Sequence, residues 1–384
     1  MHAEHPYYEH NILFRLLIGF GRFKLLRFVV ILGAWYAVGY MICSRSGILV
    51  LPGDSAGFLE DIVLHAIFFM YMAMVGSILF LLRKLDSLLD QLADFIDVPQ
   101  DDLAHVVDGI REFVGLQSRR AVAWYTYLLT LMFVLVCIFQ VIIPIFAPQE
   151  IRSWALMPDV YPGVFCFAVV WALFQWVVVV GNVLWYALSI ALTVFPVLYR
   201  YAKKDSLEIV PLAPDGKGGL APIGDLSYAL TLTISCGMLL LVSWLVLFGI
   251  DLQMVIGFPL YILALTALFF LPLQSVHLAM KRAKDLEIRR IAGLFRLDYS
   301  ELPEVRDLQE VQKDEHRHQS LRDRIEYLAD LDRLFRRVET MSVWPFNVTM
   351  LRQFFSLILV PMLLFMIQLT TKGSLTRMLG LINK

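Results

Sequence analysis

Charge is the first thing this sequence lacks. Only 17% of its 384 residues are Asp, Glu, Lys or Arg, against roughly 25% in an ordinary soluble protein. Hydrophobic residues make up 59%, and mean hydropathy is +0.67. A chain this apolar cannot hide its hydrophobic surface in one soluble core, so the lipid bilayer is its expected solvent and first partner. The net charge of -1 excludes a global basic field, and nucleic acid is not an expected partner.

Cysteine is scarce too. Cys43, Cys137, Cys166 and Cys236 all lie in apolar runs, with no CxxC pair among them. That argues against a zinc site or a dithiol motif. Cys43 and Cys166 fall near the outer ends of their runs, where a disulfide is one reading and a small apolar thiol the other. The signatures HExxH, GxSxG and GxxxxGK[ST] are missing, so neither an enzyme nor a bound cofactor or metal is expected. Ionisable residues are nearly absent at mid-depth of the apolar runs. Proton-coupled carriers and voltage sensors place titrating or moving charges there, so both classes are disfavoured.

Apolar length is abundant. A crossing helix needs about 20 apolar residues. Runs at 25–43, 62–82, 122–147, 163–198, 226–250 and 254–278 qualify, and a shorter one, 350–369, contains Gln353, Pro361 and Gln368. The fold class is therefore all-α: a polytopic membrane protein of six or seven transmembrane helices with helical cytoplasmic insertions. The run 163–198 is read as a single long helix, tilted or extending into the cytoplasm. The last run is read as a crossing, with a re-entrant segment as the alternative. Arg15, Arg22, Lys24 and Arg27 precede the first run, and later basic clusters fall on the same side. By the positive-inside rule that side, with the N-terminus, is cytoplasmic. The opening MHAEHPYYEH has no basic n-region and does not read as a signal peptide.

The resulting organisation is an amphipathic N-terminal helix (1–24), a transmembrane hairpin (25–82) and an acidic cytoplasmic hairpin broken at Pro99 (83–121). A four-span region (122–278) follows, with a glycine-rich cytoplasmic loop at 205–225. A cytoplasmic helical part (279–345) and a last membrane segment with its tail (346–384) complete the chain. In the first insertion Leu85, Leu88, Leu89, Leu92 and Ile96 share one helical face, and Leu103, Val106, Val107, Ile110 and Val114 another. Asp86, Asp90, Asp94 and Asp97 read as the wet side. In the second insertion Leu321, Ile325, Leu328, Leu331 or Asp332, Phe335 and Val338 mark a face suited to a partner helix. His316 and His318 stand two apart, so on a helix they point to different faces and read as part of a solvated surface.

Neutral polar residues are ordered within the runs. Gln175, Asn182, Ser189 and Pro196 recur every seven residues. Thr126, Thr130, Cys137 and Gln140 share a broad face, as do Thr231 and Ser235. Such faces either glue helices together in lipid or line an aqueous path. The loop PLAPDGKGGLAPIGD turns the chain: Asp215-Gly216 is a turn signal, Gly218 and Gly219 tolerate positive φ, and Asp225 is placed to cap the next helix. Its amides, with Lys217, Lys203 and Lys204, could also form an anion nest for a lipid headgroup or a phosphate.

Three segments carry a resemblance: PDGKGGL at 214–220, HLAMKRAKDLE at 277–287 and VWPFNVTMLRQF at 343–354. Together they resemble a group of bacterial multi-pass inner-membrane proteins. The likeness covers roughly the second half of the chain and implies a bacterial inner-membrane origin, with no activity to carry over. The leading functional expectation is an oligomeric, passive channel-like protein controlled by its cytoplasmic helices. The alternatives are a membrane scaffold or signalling protein that binds a cytoplasmic partner, and a solute facilitator or lipid-handling protein.

Overall fold

A computed structural model describes residues 7, 9–18, 24–50, 57–60, 62–96, 98–138, 162–204, 206–207, 209–213, 215–248, 252–300, 315–346 and 348–371. It is helical throughout, with no strand among the described residues. The helices are α1 (Ile12–Ile18), α2 (Lys24–Arg45), α3 (Ile62–Phe95), α4 (Gln100–Val114) and α5 (Arg119–Cys137). Next come α6 (Pro162–Leu173), a π-helical segment (Phe174–Val180) and α7 (Gly181–Lys203), continuous as one long helix. The remainder are α8 (Ala221–Phe248), α9 (Leu252–Ser300), α10 (Glu315–Glu339) and α11 (Val348–Thr371).

Four stretches are long and apolar enough to cross a membrane: Lys24–Arg45, Gln100–Cys137 (holding α4 and α5), Pro162–Lys203 and Val348–Ile367. The single long helix expected at 163–198 is present. Its interruption falls on four consecutive valines, Val177 to Val180, whose branched Cβ atoms crowd the preceding turn. Gly181 follows, and a Cβ there would meet Leu129 Cδ2 at 2.8 Å, so glycine lets α5 lie close.

Local chemistry sets the ends. The Asn11 side chain accepts from the Phe14 amide at 3.0 Å and caps α1. Pro99 starts α4, where its fixed φ suits a helix start. Ser118 caps α5 by accepting from the Ala121 amide at 3.1 Å. Two expected boundaries move. α3 runs unbroken past residue 83, and α9 runs unbroken past 279, because neither position holds a helix breaker. At 1.5 Å per residue α9 is about 74 Å long, more than twice a hydrocarbon core. Both helices therefore continue from apolar sequence into polar sequence without a break.

Side chains fix the register. Lys84 with Asp225 (2.6 Å) and Thr233 with the Ser77 carbonyl (3.2 Å) make α3 and α8 antiparallel. Phe269 stacks on Phe354 at 4.4 Å and Phe258 on Phe365 at 4.6 Å, so α9 and α11 are antiparallel too. The apolar faces expected at 85–96 and 103–114 meet inside the main core. Leu85, Leu88, Leu89, Leu92, Ile96, Leu103, Ile110 and Val114 are all buried there. α7 joins that layer, where Trp185 Nε1 donates to the Val114 carbonyl at 3.4 Å. A separate small core, Ile291, Leu328, Leu331 and Val338, holds α9 and α10 together as a hairpin.

Candidate functional site

The polar face of the long helix is dry at its centre. Asn182 is fully buried, and its Oδ1 accepts from Asn11 Nδ2 at 2.5 Å and from the Tyr125 hydroxyl at 3.1 Å. Tyr125 also donates to Asn11 Oδ1 at 3.1 Å, and Asn11 Nδ2 reaches the Tyr186 hydroxyl at 3.4 Å. Asn182 Nδ2 bonds the Val178 carbonyl, four residues back in the π segment. This knot ties α1, α5 and α7 through residues 11, 125 and 182. Beside it the Tyr7 hydroxyl donates to Asp86 Oδ1 at 2.5 Å. Burial and the neighbouring Asp86 carboxylate push the Tyr7 hydroxyl well above its ordinary pKa.

The other neutral residues do not join this knot. Ser189 is buried and bonds the Tyr186 carbonyl of its own helix at 3.2 Å. Thr126 and Thr130 are exposed, and Thr126 bonds back to the Val122 carbonyl at 2.8 Å. Thr231 and Ser235 are buried and bond carbonyls of α8 itself, those of Ser227 and Leu232. Gln140 lies outside the described residues. Gln175 is buried, and its Nε2 finds no acceptor among the described residues.

The glycine-rich loop is built and occupied. The amides of Lys217 and Gly219 both donate to Asp215 Oδ1, at 2.9 and 3.1 Å. Gly216, Gly218 and Gly219 have φ of +63°, +68° and +84°, the region where side chains strain. The loop's own carboxylate therefore takes two of the amides an anion would seek. Lys203 and Lys204 are exposed at the end of α7. The Asp225 cap expected for α8 is not formed. α8 begins at Ala221, and Asp225 sits a turn inside it, paired with Lys84.

The three segments that carry the resemblance meet in space. The Ser342 amide donates to the Gly216 carbonyl at 3.0 Å. A Cβ on Gly218 would meet Met341 Cε at 2.9 Å, and one on Gly224 would collide with the Pro345 carbonyl. His277 stacks on Trp344 at 4.1 Å with its Nδ1 2.7 Å from the Val343 carbonyl, and Lys284 Nζ reaches the carbonyls of Glu339 and Met341. This junction clamps the loop, the base of the α9–α10 hairpin and the start of α11.

On α10, Leu328, Leu331 and Val338 are buried and Phe335 is half-buried, so the expected face is real but faces α9. Ile325 departs from it and is 55% exposed, and Asp332 is exposed at the edge of the seam, paired with Arg336. The Leu321 side chain lies outside what is described. Leu286 and Leu297 of α9 are exposed at 61% and 66%. A cleft of about 460 Å³ opens between the two helices, lined by Ile291, Ala292, Phe295, Arg296, Asp332 and Phe335. No group of three His, Cys, Asp or Glu side chains suited to a metal occurs among the described residues. The four cysteines are free; Cys43 and Cys236 are buried, while Cys166 is exposed rather than a buried thiol.

Sequence reasoning missed Asn11, Tyr125 and Tyr186. The one signal for Asn11 is its N-cap position before ILFRLLI, which predicts a local bond and not the tertiary one. No family model, curated protein or solved structure matches this chain.

Proposed function

We propose that this chain is a multi-pass membrane scaffold whose cytoplasmic α9–α10 hairpin docks a protein partner through an apolar helix face. One observation carries the reading: the hairpin keeps Leu286, Leu297 and Ile325 exposed in a part of the chain that is otherwise strongly charged. Apolar patches of this kind on a water-facing surface mark interaction sites. α9 is continuous with that surface, so docking there would be tied to the apolar half of the same helix. The glycine-loop junction braces the hairpin base at Lys284.

The topology belongs to the same proposal. Six or seven crossings, with α3, α8 and α9 added to the four long apolar stretches, put α4, α10 and the glycine-rich loop in the cytoplasm of a bacterial cell with the N-terminus beside them. The placement of the basic residues supports that sidedness.

A photo-crosslinking residue placed at Leu297 or Ile325 in intact cells tests the docking reading. One discrete heavier adduct is expected from both positions, and none from Leu263, an exposed residue in the apolar half of α9. No adduct from either hairpin position overturns the reading. An adduct of twice 44.0 kDa assigns the surface to a second copy of the chain and overturns the separate partner.

A passive channel is the second reading, favoured by one observation. The polar face of α7 is closed by Asn11, which caps a separate seven-residue helix and could leave with it as a plug. Ion flux into liposomes should then be absent for the native chain and appear for Asn11→Ala. No flux from either protein removes this reading.

A further inference from the structure

The cleft between α9 and α10 has an apolar floor and an uneven rim. Ile291, Ala292, Phe295 and Phe335 line it, with Arg296 on the α9 side and Asp332 on the α10 side. Ile291 is buried and Phe335 half-buried, while Ala292 and Phe295 are exposed, so the floor opens on one flank of the hairpin. Its volume of about 460 Å³ falls among those of working binding clefts, roughly 300–1,000 Å³.

The rim charges are not equivalent. Asp332 is answered inside α10, where Arg336 Nε lies 3.0 Å from its Oδ2. Arg290 with Glu287 and Arg333 with Asp330 are likewise pairs within one helix. Arg296 has no carboxylate partner among the described residues. Asp285, Arg289, Ala292 and Arg296 stand at spacings of four, three and four, so they share one side of α9. Ile325, Ala329, Asp332 and Arg336 do the same on α10. Asp285 stands one turn from Arg289, whose Nε is held by the Asp285 carbonyl at 3.1 Å. The charge left without an answer along the cleft is therefore positive and sits on Arg296.

These features set the chemistry of an occupant. The floor takes apolar side chains, and Arg296 takes a carboxylate, which a guanidinium can grip with two parallel bonds. The space between two packed helices accepts a third helix laid along it. No strand occurs among the described residues, so an added strand finds no edge to pair with. Ile325 and Phe335 are ten residues apart on α10, about 15 Å, which about three turns of a helix would cover.

Building on the docking reading, we infer that the partner presents an acidic amphipathic helix to this cleft. Its apolar side chains, spaced by three and four residues, seat on Ala292, Phe295 and Phe335, and an Asp or Glu beside them pairs with Arg296.

The test places a photoreactive residue at Ile325 of the full chain in cells and identifies the crosslinked segment by mass spectrometry. A protein segment with apolar residues at helical spacing and Asp or Glu next to them is expected. Arg296→Glu sets like charges together and should cut the yield about tenfold, while Arg296→Lys, which keeps the charge, should keep most of it. Ala292→Trp fills the cleft and should cut the yield as far. Arg333→Glu, outside the cleft lining, should change nothing. A crosslinked segment without acidic residues, an adduct to lipid, or a yield unchanged by both Arg296→Glu and Ala292→Trp overturns the inference. The two readings fail separately. No protein adduct from the native chain sinks docking itself, whereas an adduct indifferent to both substitutions leaves docking standing and removes the acidic helix. If Ala292→Trp does not reach the membrane, Arg296→Glu, at an exposed position, decides.

Discussion

Replacing Asn182 by Leu strikes a buried polar bond network shared by three helices. The substitution keeps volume close and removes one acceptor oxygen and one donor. Asn11 Nδ2 then loses its 2.5 Å partner and keeps only the 3.4 Å approach to Tyr186; Tyr125 keeps Asn11 Oδ1. One buried donor is thus left nearly bare, at roughly 1–3 kcal/mol. The lost Tyr125 bond adds about 1 kcal/mol, and the Leu side chain returns part of this through apolar burial. The net expectation is a destabilisation of about 2 kcal/mol. Thermal or denaturant unfolding of the purified protein, followed by fluorescence, reads it directly. Asn11→Ala should cost less in the Asn182→Leu background than alone, with a coupling of about 1–2 kcal/mol in the cycle. Additive effects within about 0.3 kcal/mol would refute the claim that the two amides form one network.

Three further outcomes follow from the same geometry. Gly224→Ala drives a Cβ into the Pro345 carbonyl, whose carbon lies 2.7 Å away; backbone cannot yield as a side chain does, so limited proteolysis should cut at 341–346 faster, with a stability loss of about 1–3 kcal/mol. Gly219→Ala meets no atom but must hold φ +84°, so it should cost about 1–2 kcal/mol from strain alone. Tyr7 has a raised pKa in the folded chain, so its neutral form is the bound one. Docking of the N-terminal segment is then fully present below the ordinary value of 10.0 and is lost as pH rises above it. Hydrogen exchange of α1 should accelerate above about pH 10, and Tyr7→Phe should remove that dependence; an unchanged profile in Tyr7→Phe contradicts the assignment.

How much was legible depended on whether a feature was local. Pro99 as the break, the stripes at 85–96 and 103–114, and one unbroken helix across the long apolar run follow from periodicity and breakers, and all appear. Periodicity tells which residues share a helix face and not which neighbour that face meets. Thr126 and Thr130 therefore read like Asn182 in sequence, yet they face outward while Asn182 is sealed. Ile325 fits the α10 stripe by spacing, but α10 meets α9 only from Leu328 onward among the described side chains. Asp225 reads as a cap because it precedes an apolar run. The helix starts four residues earlier, with Pro222 in its first turn where a missing N–H costs nothing, and Asp225 is paired with Lys84 instead. The link from Asn11 to Asn182 spans 171 residues, and nothing in the spacing of either residue encodes it.

The central claim is that the exposed side of the α9–α10 hairpin, and not its inner seam, engages a partner. Leu328→Asp would break the inner seam and confound folding with binding, because Leu328 is buried against α9. Ile325→Asp and Leu297→Asp change only exposed positions. The decisive measurement is crosslinking from a photoreactive group at Leu286 in cells, comparing the native chain with the Ile325→Asp, Leu297→Asp double variant. The account predicts a discrete heavier adduct that the double variant loses while its amount in the membrane stays the same. An adduct of undiminished intensity in the double variant, or none in the native chain, would contradict it.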